Sequence, residues 1–138
     1  MPSGAKALCD TGPLVAMSDY ADTSHRRCRE AFAQFAGNLV TTWPVLTEAF
    51  HFLDRPPKRE ILWEFLARSV VEISEVSLTE LSRMHELMTQ YSNLPMDFAD
   101  ASLVVVGERL QLGSVFTLDR RDFLLYRPRH TGAFEVFP

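Results

Sequence analysis

Residues 5–13, AKALCDTGP, decide the fold. The apolar run from Ala5 to Cys9 is typical of a short buried strand. The four residues that follow, Asp10 to Pro13, are a turn and helix-start signal, so strand pairing stops there and the chain turns. Asp10 therefore stands at the carboxyl end of the first predicted strand.

The same alternation continues along the chain. The pattern predicts strands at 39–41, 70–73, 114–118 and 133–137, and helices at 23–36, 43–53, 77–91 and 95–110, with a further helix around 61–66. Pro56 and Pro57 are expected to end the helix before them, and the helix over 77–91 is expected to turn Leu78, Leu81, Leu87 and Met88 to the core. Short apolar strands alternating with longer helices predict an α/β fold, a three-layer α/β/α sandwich with a mostly parallel central sheet of four to five strands.

Length and composition predict one domain over residues 1–138. The chain has 138 residues, of which 46% are hydrophobic, and no linker or repeat interrupts it. Its longest apolar stretches fall far short of the roughly 20 residues needed to cross a bilayer, and the N-terminus lacks the apolar region of a secretion signal. We therefore expect no membrane association and a cytoplasmic location, with Cys9 and Cys28 as reduced thiols.

The charge balance at first argues against a nucleic-acid partner, because 14 basic and 18 acidic residues give a net charge of −4. If five acids surround a metal, however, 13 acids remain against 14 basic residues, which leaves +1. Twelve of the basic residues are Arg, the side chain that grips phosphate bidentately. The groups at 26–29, 120–121 and 127–129 are either phosphate contacts or a consequence of composition alone.

Several acids lie where predicted strands end or helices begin. Asp10 and Asp119 follow the first and fourth strands, the edge at which open parallel sheets bind ligands, although either could instead cap a helix. Asp97 and Asp100 are separated by three residues at the start of one helix. The helix dipole alone explains Asp97. Asp100 lies deeper, among apolar and small residues where an unpaired carboxylate is costly to bury.

Glu48 lies one turn into its helix, where a surface glutamate is the ordinary interpretation. With it, four or five carboxylates converge on one rim of the sheet. Like charges at such distances repel unless a cation lies between them. Oxygen ligands in that number favour Mg²⁺ or Mn²⁺, and the chemistry that suits such a site is phosphodiester hydrolysis.

Other site chemistries find little support in the sequence. His51 follows Glu48 by three residues, but a single Glu-x-x-His does not build a di-iron site, which needs paired copies. His25, His85 and His130 show no ligand spacing and are interpreted as surface or packing residues. No P-loop, dinucleotide glycine fingerprint or Gly-x-Ser-x-Gly motif occurs.

Four short motifs, taken in order, resemble a known family: residues 8–13, 47–49, 95–103 and 117–123, or LCDTGP, TEA, PMDFADASL and TLDRRDF. Together they are similar to a PIN domain, and specifically to the VapC toxin of type II toxin–antitoxin pairs. The resemblance implies that the catalytic, metal-binding quartet consists of Asp10, Glu48, Asp100 and Asp119.

The resemblance also implies auxiliary roles around the quartet. Asp97 is an auxiliary acid, and Thr11 hydrogen-bonds the first aspartate or a water. Thr117 orients a metal-bound water, and Asp122 fixes the turn. For the whole protein the resemblance implies a Mg²⁺- or Mn²⁺-dependent endoribonuclease that cleaves single-stranded RNA regions, including tRNA loops. It further implies a homodimer inhibited by a VapB-like antitoxin.

Two alternatives compete with this interpretation. A signalling receiver domain also has an acidic pocket in an α/β fold, but it requires a lysine at the end of a late strand, and Lys6 and Lys58 are not placed there. A non-catalytic PIN-like module that binds RNA or protein is the second alternative. Intact acids at every quartet position argue against it.

Overall fold

Five parallel strands form the sheet at the centre of the molecule. The structure, a computed structural model, describes residues 4–138, and residues 1–3 of the predicted domain lie outside the described part. The sheet order is β3-β2-β1-β4-β5, and every neighbouring pair is parallel. The strands are β1 (Lys6–Cys9), β2 (Asn38–Thr41), β3 (Val71–Ile73), β4 (Ser114–Phe116) and β5 (Glu135–Phe137).

Helices connect each strand to the next. Within residues 4–138, none of them combines the length and apolar character needed to cross a bilayer. A 3-10 turn, Leu78–Glu80, precedes the fifth helix. The helices are α1 (Thr11–Ser18), α2 (His25–Phe35), α3 (Trp43–Phe52), α4 (Pro56–Ala67), α5 (Leu81–Gln90), α6 (Phe98–Leu110) and α7 (Arg120–Leu125).

Helices cover the sheet on both faces, which confirms the predicted three-layer α/β/α sandwich. On one face, Leu8 of β1 lies so close to α6 that a Cβ added at Gly107 would stand 2.8 Å from its Cδ1 atom. On the other face, Phe116 of β4 stacks on Phe32 of α2, with ring centroids 6.5 Å apart. Successive side chains of a strand point to opposite faces of the sheet. Because both faces are covered, nearly every position of a strand is apolar, and the strands appear in the sequence as continuous apolar runs.

The sheet order places a topological switch point between β1 and β4. From β1 the chain builds outward through β2 and β3, and it then returns to form β4 and β5 on the other side. The carboxyl ends of β1 and β4 lie at the same edge, and the backbone N–H of Asp10 donates to the carbonyl of Phe116 at 2.9 Å. Ligands of open parallel sheets bind at this point, so the fold itself directs attention to Asp10.

Some predicted element boundaries are wrong by a few residues. Strand β4 ends at Phe116 rather than at residue 118, because Thr117 uses its side-chain oxygen to accept from the backbone N–H of Asp119 at 2.9 Å. Pro56 and Pro57 do not end a helix but begin α4. A proline lacks the N–H that the first helical turn leaves unpaired, so it is well suited to that position.

The prediction that Leu78 and Leu81 face the core is also wrong. Leu78 is 85% exposed and Leu81 is exposed as well, whereas Met84 and Leu87 are buried. The cause is the 3-10 turn, in which Glu80 accepts from the backbone N–H of Ser77 at 3.0 Å. A 3-10 turn has three residues per turn, so it breaks the 3.6-residue periodicity assumed for one continuous helix.

The start of the β1–β2 pair provides a test of this packing. A Cβ at Gly37 would lie 2.5 Å from the carbonyl oxygen of Ala5, a backbone atom that cannot rotate away. We expect Gly37→Ala to lower the free energy of unfolding by about 1–3 kcal/mol, as overpacking does. Gly113→Ala is the matched control, since nothing lies within 4 Å of a Cβ there. Equal urea midpoints for the two variants would contradict the β1–β2 geometry.

Candidate active site

An open cleft of about 580 Å³ lies at the sheet edge where β1 and β4 end. Among the residues of the described chain that line it, no Lys, Arg or His occurs. The cleft therefore concentrates negative charge without a basic partner in its wall. Seven carboxylates line it, namely Asp10, Asp22, Glu48, Asp97, Asp100, Asp119 and Asp122.

Asp10 lies at the end of β1 and is only 8% exposed. The hydroxyl of Thr117 donates to its Oδ2 atom at 2.8 Å, and no side-chain bond caps α1. Burial raises the pKa of Asp10 to about 6 from its ordinary value of 3.8, although the Thr117 bond opposes that rise. The capping alternative for Asp10 is therefore wrong.

Asp100 lies in the first turn of α6 and is also 8% exposed. The hydroxyl of Tyr126, a fully buried side chain, donates to its Oδ2 atom at 3.0 Å. Burial, followed by the charge of Asp10, raises the pKa of Asp100 to about 8. Tyr126 carries no sequence signal for this role, because no local pattern marks a bond that joins residues 26 positions apart.

Glu48 is half-buried in the cleft wall rather than on the outer surface of α3. The hydroxyl of Thr11 donates to its Oε1 atom at 2.8 Å and thereby joins the start of α1 to the middle of α3. Thr11 was expected to bond Asp10 or a water. Thr117 takes the place beside Asp10, so each of these two threonines orients one carboxylate.

The remaining predicted residues occupy the cleft in different ways. Asp119 stands at the N-cap position of α7, at the carboxyl side of β4, and lines the cleft from there. Asp97 does cap its helix, because its Oδ1 atom accepts from the backbone N–H of Asp100 at 2.8 Å. Asp122 lies in α7, and its carbonyl accepts from the N–H of Tyr126 at 3.1 Å.

The cleft lining also contains Asp22 and Phe52, which the sequence did not predict as site residues. Asp22 lies in the loop between α1 and α2. Its Oδ1 atom accepts from the backbone N–H of Ser24 at 2.8 Å and forms an Asx turn, so its sequence signal is that of an ordinary loop residue. Phe52 lies at the end of α3 and lines the same cleft. No sequence pattern assigns Phe52 a role, and only the three-dimensional arrangement shows it at the cleft.

The donor set of the cleft suits a hard divalent cation. Hydroxyl groups donate to the buried carboxylates, and these neutral donors leave the mutual repulsion of the acids uncompensated. No group of three or more Asp, Glu, His or Cys side chains in residues 4–138 is already closed around one point as a metal cluster. The carboxylates share the cleft and would have to converge on an ion.

The positions of the lysines disfavour a receiver domain. Lys6 pairs with Glu72 at 2.9 Å, and Lys58 pairs with Asp19 and Asp54 at 3.2 Å. Neither lysine lines the cleft. A receiver domain needs a lysine beside its acidic pocket, and both lysines of this chain instead pair with acids outside the cleft.

Comparison with known proteins gives matches that span most of the chain. The family model described as PIN domain matches residues 7–127. Ribonuclease VapC26 of Mycobacterium tuberculosis is 29% identical over 135 residues, which cover 95% of this chain and 99% of that protein. The matched region includes all four motifs of the acidic site.

Two solved structures share the fold. VapC20 of Mycobacterium tuberculosis, a Sarcin-Ricin loop cleaving toxin, superposes with a TM-score of 0.76 at 19% identity and covers 97% of this chain and 100% of its own. VapBC2 of Rickettsia felis, bound to a DNA fragment from its promoter, gives 0.60 at 16% identity with the same coverage. At these identities the likeness concerns the fold alone.

The raised pKa of Asp100 predicts how stability changes with pH. Since the folded, metal-free protein holds this proton more tightly than the unfolded chain, the contribution of Asp100 to stability is lost as pH rises from about 4 through about 8. The free energy of unfolding should therefore fall between pH 5 and pH 8. We expect this fall to be smaller in Asp100→Asn than in the parent by roughly 1–4 kcal/mol. Urea denaturation at each pH, in the presence of a chelator, measures the free energy of unfolding. Glu60→Gln, at an exposed acid outside the cleft, is the control, and an unchanged slope in Asp100→Asn would contradict the buried-acid geometry.

Proposed function

Because the chain belongs to the PIN-domain family, we propose that it is a divalent-metal-dependent endoribonuclease and the toxin of a type II toxin–antitoxin pair. The observation that carries the proposal is the acidic cleft at the β1–β4 switch point. Seven carboxylates line it, no basic residue of the described chain does, and two of its acids are almost fully buried. Buried carboxylates without a charged partner lower the stability of the fold, and a bound cation would offset that cost. The arrangement therefore suits cation binding.

We assign Asp10, Glu48, Asp100 and Asp119 as the residues that hold Mg²⁺ or Mn²⁺. A divalent cation bound there supplies an activated water and neutralises charge that develops on the phosphate. The protein's own part is to hold the carboxylates in place. Thr117 orients Asp10, Thr11 orients Glu48, and Tyr126 orients Asp100.

Protons compete with the cation for the two buried acids. With pKa values of about 6 and about 8, Asp10 and Asp100 hold protons at the lower end of the neutral range in the metal-free protein. Ligands must be deprotonated to bind a metal, so affinity for the ion should increase with pH over this range. Asp97, as the cap of α6, fixes the helix start that carries Asp100.

The names of the relatives extend the proposal to substrate and partners. VapC26 is named a ribonuclease, VapC20 cleaves the Sarcin-Ricin loop, and VapBC2 is a toxin–antitoxin complex. By analogy, this chain acts on single-stranded regions of a structured RNA in the cytoplasm. A VapB-like antitoxin, encoded beside it, covers the cleft in the inhibited state.

The cleavage reaction tests the proposal directly. Asp10→Asn and Asp119→Asn are each expected to lower cleavage of total RNA in Mn²⁺ by at least about 100-fold, since each removes an oxygen charge that would hold the cation. Glu60→Gln should cleave like the parent, because this exposed acid lies on α4 outside the cleft. Sequencing of the RNA ends measures the rate and identifies the target.

Full activity in both Asn variants would refute the assignment of the cleft as the active site. A parent protein that binds RNA but never cuts it, in Mg²⁺ or Mn²⁺, would instead favour the non-catalytic PIN-like module. Circular dichroism of each variant separates loss of activity from loss of fold.

An apolar surface beside the cleft is the place we assign to a second copy in the homodimer. Four large apolar side chains are exposed around a hollow of about 220 Å³, and contiguous exposed patches mark interaction sites. Proline and valine complete its wall, so the patch is largely uncharged. The exposed apolar side chains are Trp43, Leu78, Leu81 and Phe98.

Leu78→Asp tests the homodimer with little risk to folding, because this side chain is 85% exposed. The charge would be buried without a partner at the interface, which is strongly unfavourable. Light scattering after size exclusion should give the mass of two chains for the parent and of one for the variant. Leu124→Asp, at another exposed leucine, is the control, and a dimer that survives Leu78→Asp excludes this surface.

A further inference from the structure

Phe52 lies at the acidic cleft, although its side chain is 62% exposed. An exposed apolar residue is ordinary by itself. This one differs from the other exposed aromatic residues of the described chain because it lines the cleft, and none of the others does. An aromatic ring is therefore presented to whatever enters beside the carboxylates.

The position of the ring relative to the acids follows from α3. Glu48 and Phe52 are separated by four residues, so they lie on the same face of the helix, one turn apart. The bond from Thr11 fixes Glu48 at 2.8 Å. The ring of Phe52 thus stands one helical turn beyond the carboxylates, at the lip of the cleft.

The neighbouring aromatic of the same helix has a packing role instead. The ring of Phe50 is half-buried and lies against Trp63 of α4, with ring centroids 5.1 Å apart. Phe52 has a single aromatic neighbour within the described chain, His51, at 5.5 Å, and both rings are exposed. One face of the α3 end packs against the protein, and the other is free for a ligand.

The charge of the cleft limits which contacts can hold RNA there. Residues 4–138 contribute seven carboxylates and no basic side chain to the wall, so these side chains cannot attract phosphates to the cleft. At the lip of the cleft, the contact that the protein can offer to RNA is an uncharged one, through the ring of Phe52. Every nucleobase has a flat face that stacks on an aromatic ring, so this contact tolerates any sequence.

We propose that Phe52 is a base-stacking platform, on which one unpaired nucleobase of the RNA lies while the adjacent phosphodiester enters the cleft. This inference rests on the proposed ribonuclease function and names the form of its substrate. A base within a duplex is already stacked on its neighbours, so a platform of this kind selects single-stranded RNA.

Binding to a cleavage-deficient protein tests the platform. In the Asp119→Asn background with Mn²⁺, fluorescence anisotropy gives the Kd for labelled oligo(A) and oligo(U) of about 12 nucleotides, within the range of single-strand site sizes. Phe52→Ala is expected to raise Kd about 10- to 100-fold, the loss that removal of one base–aromatic stack produces. Phe52→Leu should behave like Phe52→Ala, and Phe52→Trp like the parent.

Trp63→Ala is the matched control, since Trp63 is 56% exposed but lies outside the cleft, and its Kd should stay within about twofold of the parent. In Phe52→Trp, the tryptophan fluorescence gained over the parent should be quenched by oligo(A). An RNA duplex of the same length should cause no such quenching.

The outcomes separate this inference from the function on which it rests. A parent that binds neither oligonucleotide would overturn the ribonuclease proposal and the platform with it. A parent that binds, together with an unchanged Kd in Phe52→Ala or a restored Kd in Phe52→Leu, would overturn the platform alone. If Phe52→Ala kept its RNA affinity but lost binding to the protein encoded by the adjacent reading frame, Phe52 would be a protein anchor instead.

Discussion

The repulsion between Asp10 and Asp100 is the constraint on which the rest of the site depends. Both carboxylates are almost fully buried, and the charge of Asp10 adds to the effect of burial in raising the pKa of Asp100. The part of the chain that the structure describes supplies neutral hydroxyls to these acids, and none of its basic side chains lines the cleft. Hydroxyl donors orient a carboxylate without neutralising it. The negative charge of the site therefore stays available to a bound cation, whereas a lysine or arginine in the wall would have neutralised it permanently.

The fold supplies this constraint at small structural cost. A parallel sheet with a switch point between β1 and β4 brings two strand ends together, and α3 and α6 begin at the same edge. Each of the four quartet acids comes from a different part of the chain, at the ends of β1 and β4 and on α3 and α6. The apolar side chains of β1, β4 and the covering helices stabilise the sheet independently. The acidic edge can thus be selected for chemistry rather than for stability.

Much of this arrangement follows from the sequence, because it depends on local signals. Strand ends place Asp10, a helix start places Asp97 and Asp100, and the alternation of elements predicts the three layers. Glu48 could be assigned only by resemblance, since its local pattern is that of a surface residue. Tyr126 and Asp22 could not be found, because their roles depend on contacts between elements far apart in the chain. Leu78 was assigned to the core because a helical period was extended through a 3-10 turn.

Proton release on metal binding tests the central claim most directly. Calorimetric titration of the parent with Mn²⁺ at pH 7, in two buffers of different ionisation enthalpy, counts the protons displaced by the ion. A site built on Asp100, with a pKa of about 8, and Asp10, with a pKa of about 6, should bind Mn²⁺ and release about one proton. Binding that releases no proton, or no binding at all, would contradict the assignment of the buried carboxylates as the metal site.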